Sequence, residues 1–255
     1  MKIISYNVNG IRAAAGKGLF DLLAKENPDV VLFQEIKASS DQIPSEWYEP
    51  LGYQAIWHSA EKKGYSGVGV LYKGKAIGSE VGCGIKALDS EGRFIRVDFQ
   101  DCSVLSLYLP SGTSGDERQA FKMETLNLFA TWIEEVRKQF PRLILGGDFN
   151  ICREAIDIHD PIRNKDVSGF KPEERNWFAE FLGLGWIDTF RFFHPQEAHR
   201  YSWWTFRAGA RANNKGWRID YLLASKNLEK NLFSADILHD IVHSDHCPVQ
   251  LELKF

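Results

Sequence analysis

The sequence predicts an α/β sandwich, in which two mixed β-sheets pack face to face and helices cover their outer faces. Short apolar runs bounded by glycines, prolines and charged turns far outnumber helical segments, which indicates enough strands to form two sheets. Segments with helical periodicity recur at intervals between these runs. A chain of 255 residues could form one large domain or two small ones, and nothing in it marks a linker. We therefore predict a single domain spanning residues 1–255.

The predicted strands are short and either apolar throughout or alternating. In chain order they cover residues 2–8, 29–33, 67–72, 76–81, 94–99, 103–109, 143–145, 218–224, 233–238 and 248–253.

Three helices are predicted from their spacing and end signals. The first covers residues 19–25 and is stopped by Asn27-Pro28. The second covers residues 116–140, with acidic residues at its start. The third runs from Pro172 to about residue 182, with proline in its first turn. The apolar stripe predicted to face inward on the second helix is Phe121, Leu128, Phe129, Trp132, Ile133, Val136 and Phe140.

Composition excludes several classes of protein. Hydrophobic residues make up 44% and charged residues 25%, which is typical of a globular domain with a sizeable core. No apolar run approaches the roughly 20 residues needed to span a bilayer. The chain enters a strand pattern directly, without a signal-peptide pattern, and its four cysteines lie far apart. We therefore expect a reduced, cytoplasmic protein with no membrane partner. The net charge of −3 requires any polyanion site to be a local basic patch.

Polar residues of one kind lie at the ends of five of the predicted strands. These residues are Asn7, Glu35, Asp148 with Asn150, Asp220, and Asp245 with His246. A single such end would be an ordinary turn, since Asp and Asn favour turns. Five of them predict one acidic pocket at a rim of the sheets. Strand alternation would point Asp148 and Asn150 to the same side, where they could position and activate a water molecule.

The ligand types in this pocket favour a hard cation. Glu35 and Asp245 offer oxygen, and the cysteines form no zinc-like pair, so Mg²⁺, with Mn²⁺ as its substitute, is the expected cofactor. His246 is the one histidine that we place in the site, with Asp220 as the partner that orients it. The alternative for His246 is a histidine satisfied within the core.

Residues 199–218 are rich in basic and aromatic side chains and contain no Asp or Glu. Basic groups could neutralise phosphates while aromatic faces hold a base or a sugar. The segment could equally be a loop anchored in the core with a solvated charged face. Composition alone leaves both interpretations open. The basic members are Arg200, Arg207, Arg211, Lys215 and Arg218, and the aromatic members are Tyr201, Trp203, Trp204, Phe206 and Trp217.

Six motifs occur in an order that resembles a known family. They are SYNVNGIR at residues 5–12, QEIK at 34–37, GYSGVG at 64–69, GGDFN at 146–150, GWRIDY at 216–221 and SDHCP at 244–248. Together they resemble the exonuclease III family of apurinic/apyrimidinic endonucleases, which belongs to the endonuclease/exonuclease/phosphatase superfamily. The resemblance covers essentially the whole chain.

The resemblance implies a four-layer α/β sandwich and Mg²⁺-dependent hydrolysis of the DNA phosphodiester on the 5′ side of an abasic site. It also implies 3′-to-5′ exodeoxyribonuclease and 3′-phosphodiesterase activity. The partner would be double-stranded DNA with an abasic site or a 3′ end, and the protein would act as a monomer in base excision repair.

Roles follow from the resemblance by position. Glu35 would be the principal metal ligand, with Asn7 and Asp245 nearby. Asp148, held by Asn150, would align or deprotonate the attacking water. The wider set of residues assigned to the metal site also includes Asp148, Asn150 and His246.

The resemblance further implies that His246, oriented by Asp220, contacts the scissile phosphate. Tyr108 would present its phenol to the phosphate or to the leaving oxygen. Trp203 and Trp217 would wall the pocket for an extruded sugar. The residues that would contact DNA elsewhere are Tyr65, Arg93 and Arg12.

Three positions depart from the family pattern. Asn9 replaces an acid that some relatives carry near the metal, and Ser111 replaces a side-chain amide. Ser114 falls near an arginine that reaches into the DNA groove in a relative, so product retention is expected to be weaker. The competing hypotheses are another phosphoesterase of the superfamily, such as a phosphatase or phospholipid hydrolase, and a non-catalytic DNA-binding module.

Overall fold

Twelve strands and six α-helices form the fold of the computed structural model, which describes residues 1–255. The strands are β1 Lys2–Asn7, β2 Val30–Gln34, β3 Gln54–His58, β4 Val68–Tyr72, β5 Gly78–Val81, β6 Phe94–Asp98, β7 Ser103–Tyr108, β8 Leu143–Asp148, β9 Trp186–Asp188, β10 Asp220–Ser225, β11 Leu232–Ile237 and β12 Val249–Leu253. The helices are α1 Ile11–Ala15, α2 Leu19–Glu26, α3 Lys86–Asp89, α4 Asp116–Gln139, α5 Pro172–Gly183 and α6 Thr189–Phe193. None of these helices has both the length and the apolar character needed to cross a bilayer.

The strands form two mixed six-stranded sheets. The first has the order β11-β12-β1-β2-β4-β3 and the second has the order β5-β6-β7-β8-β10-β9. Each sheet contains one parallel pair near its centre, β1 with β2 and β7 with β8, and its other pairs are antiparallel. The predicted sandwich of two mixed sheets is therefore confirmed.

Alternation along the central strands divides the core into layers. Ile3, Val30 and Leu32 lie in the apolar layer between the two sheets. Ile4 and Val31 point the other way, into the layer that α1 and α2 cover. The second sheet packs its outer face against α4 and α5 in the same manner. Both faces of each central strand are buried, which is why these strands are mostly apolar. With helices outside each sheet, the fold has four layers.

Every predicted strand exists, with ends that differ by at most two residues except at β8, where the apolar run continues through both glycines to Asp148. The prediction missed β3 and β9, which lie at sheet edges. β3 is only half-buried or exposed along its length, so its sequence lacks the apolar run of a central strand. Three short helices, α1, α3 and α6, were also missed, since four or five residues carry little periodicity.

The stripe predicted for α4 is wrong at Leu128, which is 40% exposed. The buried face of α4 includes the polar residues Gln119, Lys122 and Thr125. An apolar pattern cannot register polar residues that are buried because they have partners. The buried face of α4 is therefore made of a different set of residues from the one that apolar residues alone predicted.

Candidate active site

The parallel strand pairs bring their carboxyl ends to one edge of the sandwich. Asn7 ends β1, and Glu35 directly follows β2. In the facing sheet, Tyr108 ends β7 and pairs in register with Asp148 at the end of β8. Because both parallel pairs end at this edge, four polar residues from distant parts of the chain meet there.

Antiparallel neighbours supply the remaining residues. Asp220 begins β10 and lies opposite Asp148 in the register of β8 and β10. Asp245 and His246 precede β12, which runs antiparallel to β1, so the start of β12 lies beside the end of β1. The five polar strand ends identified in the sequence thus converge on one place.

Glu35 is held by three neighbours. The side-chain amide of Asn7 donates to Glu35 Oε1 at 2.9 Å, and the Tyr108 hydroxyl donates to the same oxygen at 3.0 Å. Lys37 Nζ lies 2.7 Å from Glu35 Oε2. Burial alone would raise the pKa of Glu35, but the charge of Lys37 and the hydrogen bond from Asn7 outweigh burial and lower it. Glu35 is therefore a carboxylate at neutral pH.

Asp148 has the opposite electrostatics. Its two oxygens accept hydrogen bonds from the Asn150 backbone N–H at 2.8 Å and from the Asn7 amide at 3.0 Å. Burial raises the pKa of Asp148 to about 8, and the negative charge of Asp220 acts in the same direction. A carboxylate whose pKa lies near neutrality is suited to accept a proton.

Asn150 holds Asp148 through its backbone. The strand ends at Asp148, and Asn150 has a left-handed backbone with φ of 54°. Asn150 lines the same cavity as Asp148, as expected, but it does so through this turn and not through strand alternation. Its side-chain amide donates to the carbonyl of Leu109 at 2.9 Å. The turn thus ties the end of β8 to the segment that follows β7.

His246 forms a pair with Asp220. His246 Nδ1 lies 2.9 Å from Asp220 Oδ2, which also accepts from the Ser202 hydroxyl at 2.6 Å. Burial would lower the pKa of His246, but Asp220 and then Asp148 outweigh burial and raise it to about 10. The imidazole is therefore cationic at neutral pH, with Nε2 3.9 Å from Asp148 Oδ2.

Asp245 is fixed by donors from three directions. It accepts from Asn9 Nδ2 at 2.9 Å, from Trp203 Nε1 at 3.0 Å and from the Ser244 hydroxyl at 3.1 Å. Burial would raise its pKa, but the charge of His246 and these hydrogen bonds outweigh burial and lower it. Asn9 also accepts from Lys37, so an amide links Asp245 to that lysine at a position where an acid was expected in relatives.

Three of these groups could hold a metal ion. Donor atoms of Glu35, Asp148 and His246 all lie within 4.8 Å of one another. Four buried or half-buried carboxylates surround this point, so the site carries more negative charge than its cations offset. Hard carboxylate oxygens around an excess of negative charge fit a hard divalent cation.

The same residues line a cavity of about 490 Å³. Asn7 and Asp220 lie behind the wall of the cavity and form hydrogen bonds with residues that line it. Trp203 and Trp217 form one side, with their rings 5.9 Å apart and nearly perpendicular. The residues lining the cavity are Glu35, Tyr108, Ser111, Thr113, Asp148, Asn150, Val167, Ser168, Gly169, Trp203, Thr205, Arg207, Trp217, Ile219, Asp245 and His246.

The basic and aromatic segment is mainly an anchor. Arg218 is buried and paired with Asp157 and Asp188. Arg200 pairs with acidic side chains, and Arg211 donates to backbone carbonyls. Of its basic residues, Arg207 and Lys215 are exposed, and Arg207 lines the cavity. Composition could not separate it from the others.

The expectation that Arg93 contacts DNA is contradicted. Its side chain is 0% exposed and donates to Glu91 at 2.8 Å and to the backbone carbonyl of Tyr108 at 2.5 Å. Arg93 therefore holds Tyr108 in place and presents no charge to a ligand. Tyr65 and the exposed Arg12 instead line a separate groove, which also contains Lys62 and Lys63.

Lys37 was missed as a site residue. Its position two residues after Glu35 could have indicated a role in the site. A lysine that close in sequence to a carboxylate, however, more often forms an ion pair with it at the surface. Only the left-handed backbone at Glu35 and Lys37, with φ of 49° at each, directs the ammonium back toward the carboxylate.

Comparisons with known proteins agree with this arrangement. Residues 4–246 match the Endonuclease/Exonuclease/phosphatase family. The chain is 39% identical over 252 residues to an exodeoxyribonuclease of Bacillus subtilis, covering 98% of both chains. It is 36% identical over 252 residues to a DNA-(apurinic or apyrimidinic site) endonuclease of Dictyostelium discoideum, covering 98% of this chain and 69% of that one.

A solved structure agrees over the whole length. The 3′ phosphatase NExo from Neisseria, bound to a product DNA hairpin, superposes with a TM-score of 0.93 at 26% identity, with all of both chains covered. The family match, the relatives and the fold all indicate the same family. The chain belongs to the Endonuclease/Exonuclease/phosphatase family and is a hydrolytic nuclease.

Proposed function

We propose that this protein hydrolyses the DNA phosphodiester on the 5′ side of an abasic site, with Mg²⁺ as its cofactor. The observation that carries the proposal is that three features line one cavity. These are the Asp148 turn, the group of Glu35 and His246 that could hold a metal, and a wall of two tryptophans. A relative named as an apurinic or apyrimidinic site endonuclease supports the choice of substrate.

Asp148 serves as the base for the attacking water. Its raised pKa makes it a proton acceptor near neutral pH, and the N–H of Asn150 fixes the orientation of the carboxylate. Asn7 donates to both Asp148 and Glu35 through its amide, which holds the base and the main metal ligand at a fixed separation.

Glu35 would be the main ligand of the metal, with the carboxylates of Asp148 and Asp245 in the same cavity. The cationic His246 would face the phosphate instead of binding the ion. The bound ion would offset negative charge on the phosphate and polarise its oxygen. Its preferred class is a hard cation such as Mg²⁺ or Mn²⁺, because carboxylate oxygens dominate the donors.

His246 and Tyr108 stabilise the phosphate as its charge grows. Asp220 keeps His246 protonated and oriented, so the imidazolium can donate to a phosphate oxygen. Tyr108 already donates to Glu35, and burial raises the pKa of its phenol well above the ordinary value. It therefore stays protonated, and donation to a phosphate oxygen would replace its hydrogen bond to Glu35.

Selection of an abasic site has a physical source in this geometry. The indole rings of Trp203 and Trp217 offer an apolar wall to an extruded sugar. A nucleotide without its base costs less to unstack and turn out of the helix. The separate groove with Arg12, Tyr65, Lys62 and Lys63 offers basic side chains to a phosphate backbone.

A 3′-to-5′ exodeoxyribonuclease and 3′-phosphodiesterase activity is a second part of this proposal. The relative named exodeoxyribonuclease and the solved 3′ phosphatase favour it. A DNA 3′ end can place its terminal phosphoester over the same residues without extruding a sugar. We also keep as predictions a monomeric state, which sedimentation can test, and a cytoplasmic location.

The test uses a labelled duplex that carries one stable abasic analogue. With Mg²⁺ the expected product is a single cut 5′ to the analogue, and EDTA should abolish it. The controls are an undamaged duplex, a duplex with a 3′-phosphate end, and a phosphoinositide as an alternative phosphoester. The proposal fails if abasic DNA is not cut, or if the Mg²⁺-loaded and EDTA-treated protein cut it equally fast.

A further inference from the structure

A buried ion pair lies behind the active site, and the mechanism above makes no use of it. Lys122 on α4 and Glu174 on α5 are both 0% exposed, and Lys122 Nζ lies 2.6 Å from Glu174 Oε1. Burial lowers the pKa of Lys122, which the charge of Glu174 only partly offsets. Burying such a pair is often no better for stability than apolar packing, so its other contacts decide what it does.

Lys122 has a second partner in the active site. Its Nζ donates to the backbone carbonyl of Asn150 at 2.8 Å. Asn150 is the left-handed residue whose N–H holds Asp148. The carbonyl and the N–H lie in the two peptide planes that flank the Cα of Asn150, so fixing the carbonyl restricts the φ and ψ rotations that would turn the N–H away from Asp148. A left-handed conformation at a residue other than glycine costs free energy and persists when its surroundings hold it.

Glu174 binds the other wall of the cavity. Its Oε2 accepts from the backbone N–H of Gly169 at 2.6 Å and from that of Lys171 at 3.0 Å. Its Oε1 accepts from the Ser168 hydroxyl at 3.2 Å as well as from Lys122. Ser168 and Gly169 both line the cavity. One carboxylate therefore fixes the loop that closes this side.

The two walls are also in direct contact. Gly169 has φ of 99°, and a Cβ there would lie 2.9 Å from the Trp217 ring and 3.2 Å from the Asn150 carbonyl oxygen. The Gly169 carbonyl accepts from the Cys152 N–H at 2.7 Å. Small displacements of this loop would therefore reach both the Asp148 turn and the tryptophan wall.

We propose that Lys122 and Glu174 act as a positioning pair, which sets the Asp148–Asn150 turn against the Gly169–Trp217 side of the cavity. The pair touches neither substrate nor metal and acts through backbone groups. This inference rests on the proposed nuclease function for its kinetic consequence. Its structural consequence, an immobilised Asn150 and Gly169, stands independently of any substrate.

The kinetic test compares Lys122→Met, Lys122→Arg and Glu174→Gln with a matched control. Lys122→Met removes the donor to Asn150 and should lower kcat on abasic DNA by roughly 10²-fold, because small misplacements in a catalytic site have effects of that size. KM should stay within about twofold, since the substrate loses no contact. Lys122→Arg keeps the charge and a donor, so it should recover most of the rate.

Leu126→Ala provides the control for lost stability. Leu126 lies one turn further along the buried face of α4 and packs in the apolar core. The variants are compared well below their melting temperatures, at equal distance from each. If Leu126→Ala lowers kcat as much as Lys122→Met does, the pair is merely structural and the proposal is overturned. The proposal is also overturned if Lys122→Arg recovers none of the lost rate.

Glu174→Gln carries the test if Lys122→Met does not fold. An amide has nearly the volume of the carboxylate, but its NH₂ must face either Lys122 or the Gly169 N–H. It should therefore lower kcat at unchanged KM while retaining the fold.

Amide hydrogen exchange separates this proposal from the proposed function. In metal-free protein, Lys122→Met or Glu174→Gln should accelerate exchange at Asn150 and Gly169 at least tenfold, roughly the loss of one hydrogen bond. Leu126→Ala should not. If the wild type cuts no abasic DNA but exchange responds as expected, the proposed function fails and the positioning pair stands. If hydrogen exchange at Asn150 and Gly169 is unchanged in both variants, the proposal of a positioning pair is overturned.

Discussion

Two buried charge clusters lie close together in this protein and differ in one respect, their balance. The anchor cluster consists of Asp157, Asp188, Arg191 and Arg218. The site cluster consists of Glu35, Asp148, Asp220, Asp245 and His246. The sequence patterns singled out the members of the site cluster, but of the anchor cluster only Arg218.

The anchor cluster pairs each carboxylate with a guanidinium. Arg218 lies 2.8 Å from Asp157 and 2.7 Å from Asp188, and Arg191 lies 2.6 Å from Asp157. Burial alone would raise the pKa of Asp157, but Arg218 outweighs burial and lowers it. Two acids and two bases leave no net charge, and the group serves to hold the segment that carries Trp217.

The site cluster leaves part of its negative charge uncompensated. Its four carboxylates face His246 and, at the edge, Lys37. Asp148 has a raised pKa, and Asp220 Oδ1 is buried without a hydrogen-bond partner. In this protein, balanced buried charge therefore holds the structure together, whereas unbalanced buried charge indicates a site for a cation and for proton transfer.

The largest expected effect is on the rate of Asp148→Asn. Loss of the base should lower kcat on abasic DNA by about 10³-fold. The free energy of unfolding should change by less than about 1 kcal/mol, since the amide removes a charge that burial and Asp220 disfavour. Single-turnover cleavage and urea unfolding measure the two quantities. A rate within tenfold of wild type would remove Asp148 from the mechanism.

Asp157→Asn should show the reverse pattern. Removing one acid leaves the two guanidiniums of Arg218 and Arg191 with Asp188 as the one carboxylate of the cluster, so unfolding should become easier by about 3–5 kcal/mol. Cleavage per folded molecule, measured at low temperature, should fall far less than in Asp148→Asn. A stability loss below about 1 kcal/mol would show that the anchor cluster is not the stabilising one.

Metal should stabilise the protein only through the site cluster. Mg²⁺ at a hundredfold excess over its Kd should add about 2.7 kcal/mol, or a rise in Tm of several degrees. Glu35→Gln should remove this rise, whereas Asp157→Asn should retain it. Calorimetric titration with Mg²⁺ provides the direct measurement. An equal rise in wild type and Glu35→Gln would place the ion elsewhere.

The smallest expected effect is a change of stability with pH. Because the folded pKa of Asp157 is lowered, its contribution is fully present above the unfolded pKa, about 3.9, and is lost as pH falls through the folded pKa. The stability difference between wild type and Asp157→Asn should therefore shrink by about 1.4 kcal/mol for each unit of pH within that window. A difference that grows on acidification would contradict the lowered pKa.

Much of the fold and the site could be predicted because both follow from local patterns. The central strands are apolar on both faces, so their runs were visible, and the polar residues at their ends had to share one edge. The half-buried β3 and the three-residue β9 lack such runs. Arg93 could not be assigned from sequence, because its burial depends on Glu91 and on the strand that carries Tyr108.

The sequence by itself determined the strands, the order of the motifs and the residue types that gather at one edge. Only the tertiary structure decided which charges are compensated. Arg218 meets Asp157 and Asp188, Lys122 meets the carbonyl of Asn150, and Asp148 meets Asp220. These partners are separated by 28 residues or more along the chain. Local pattern cannot specify such neighbours, and it is the neighbours that set burial, charge and pKa.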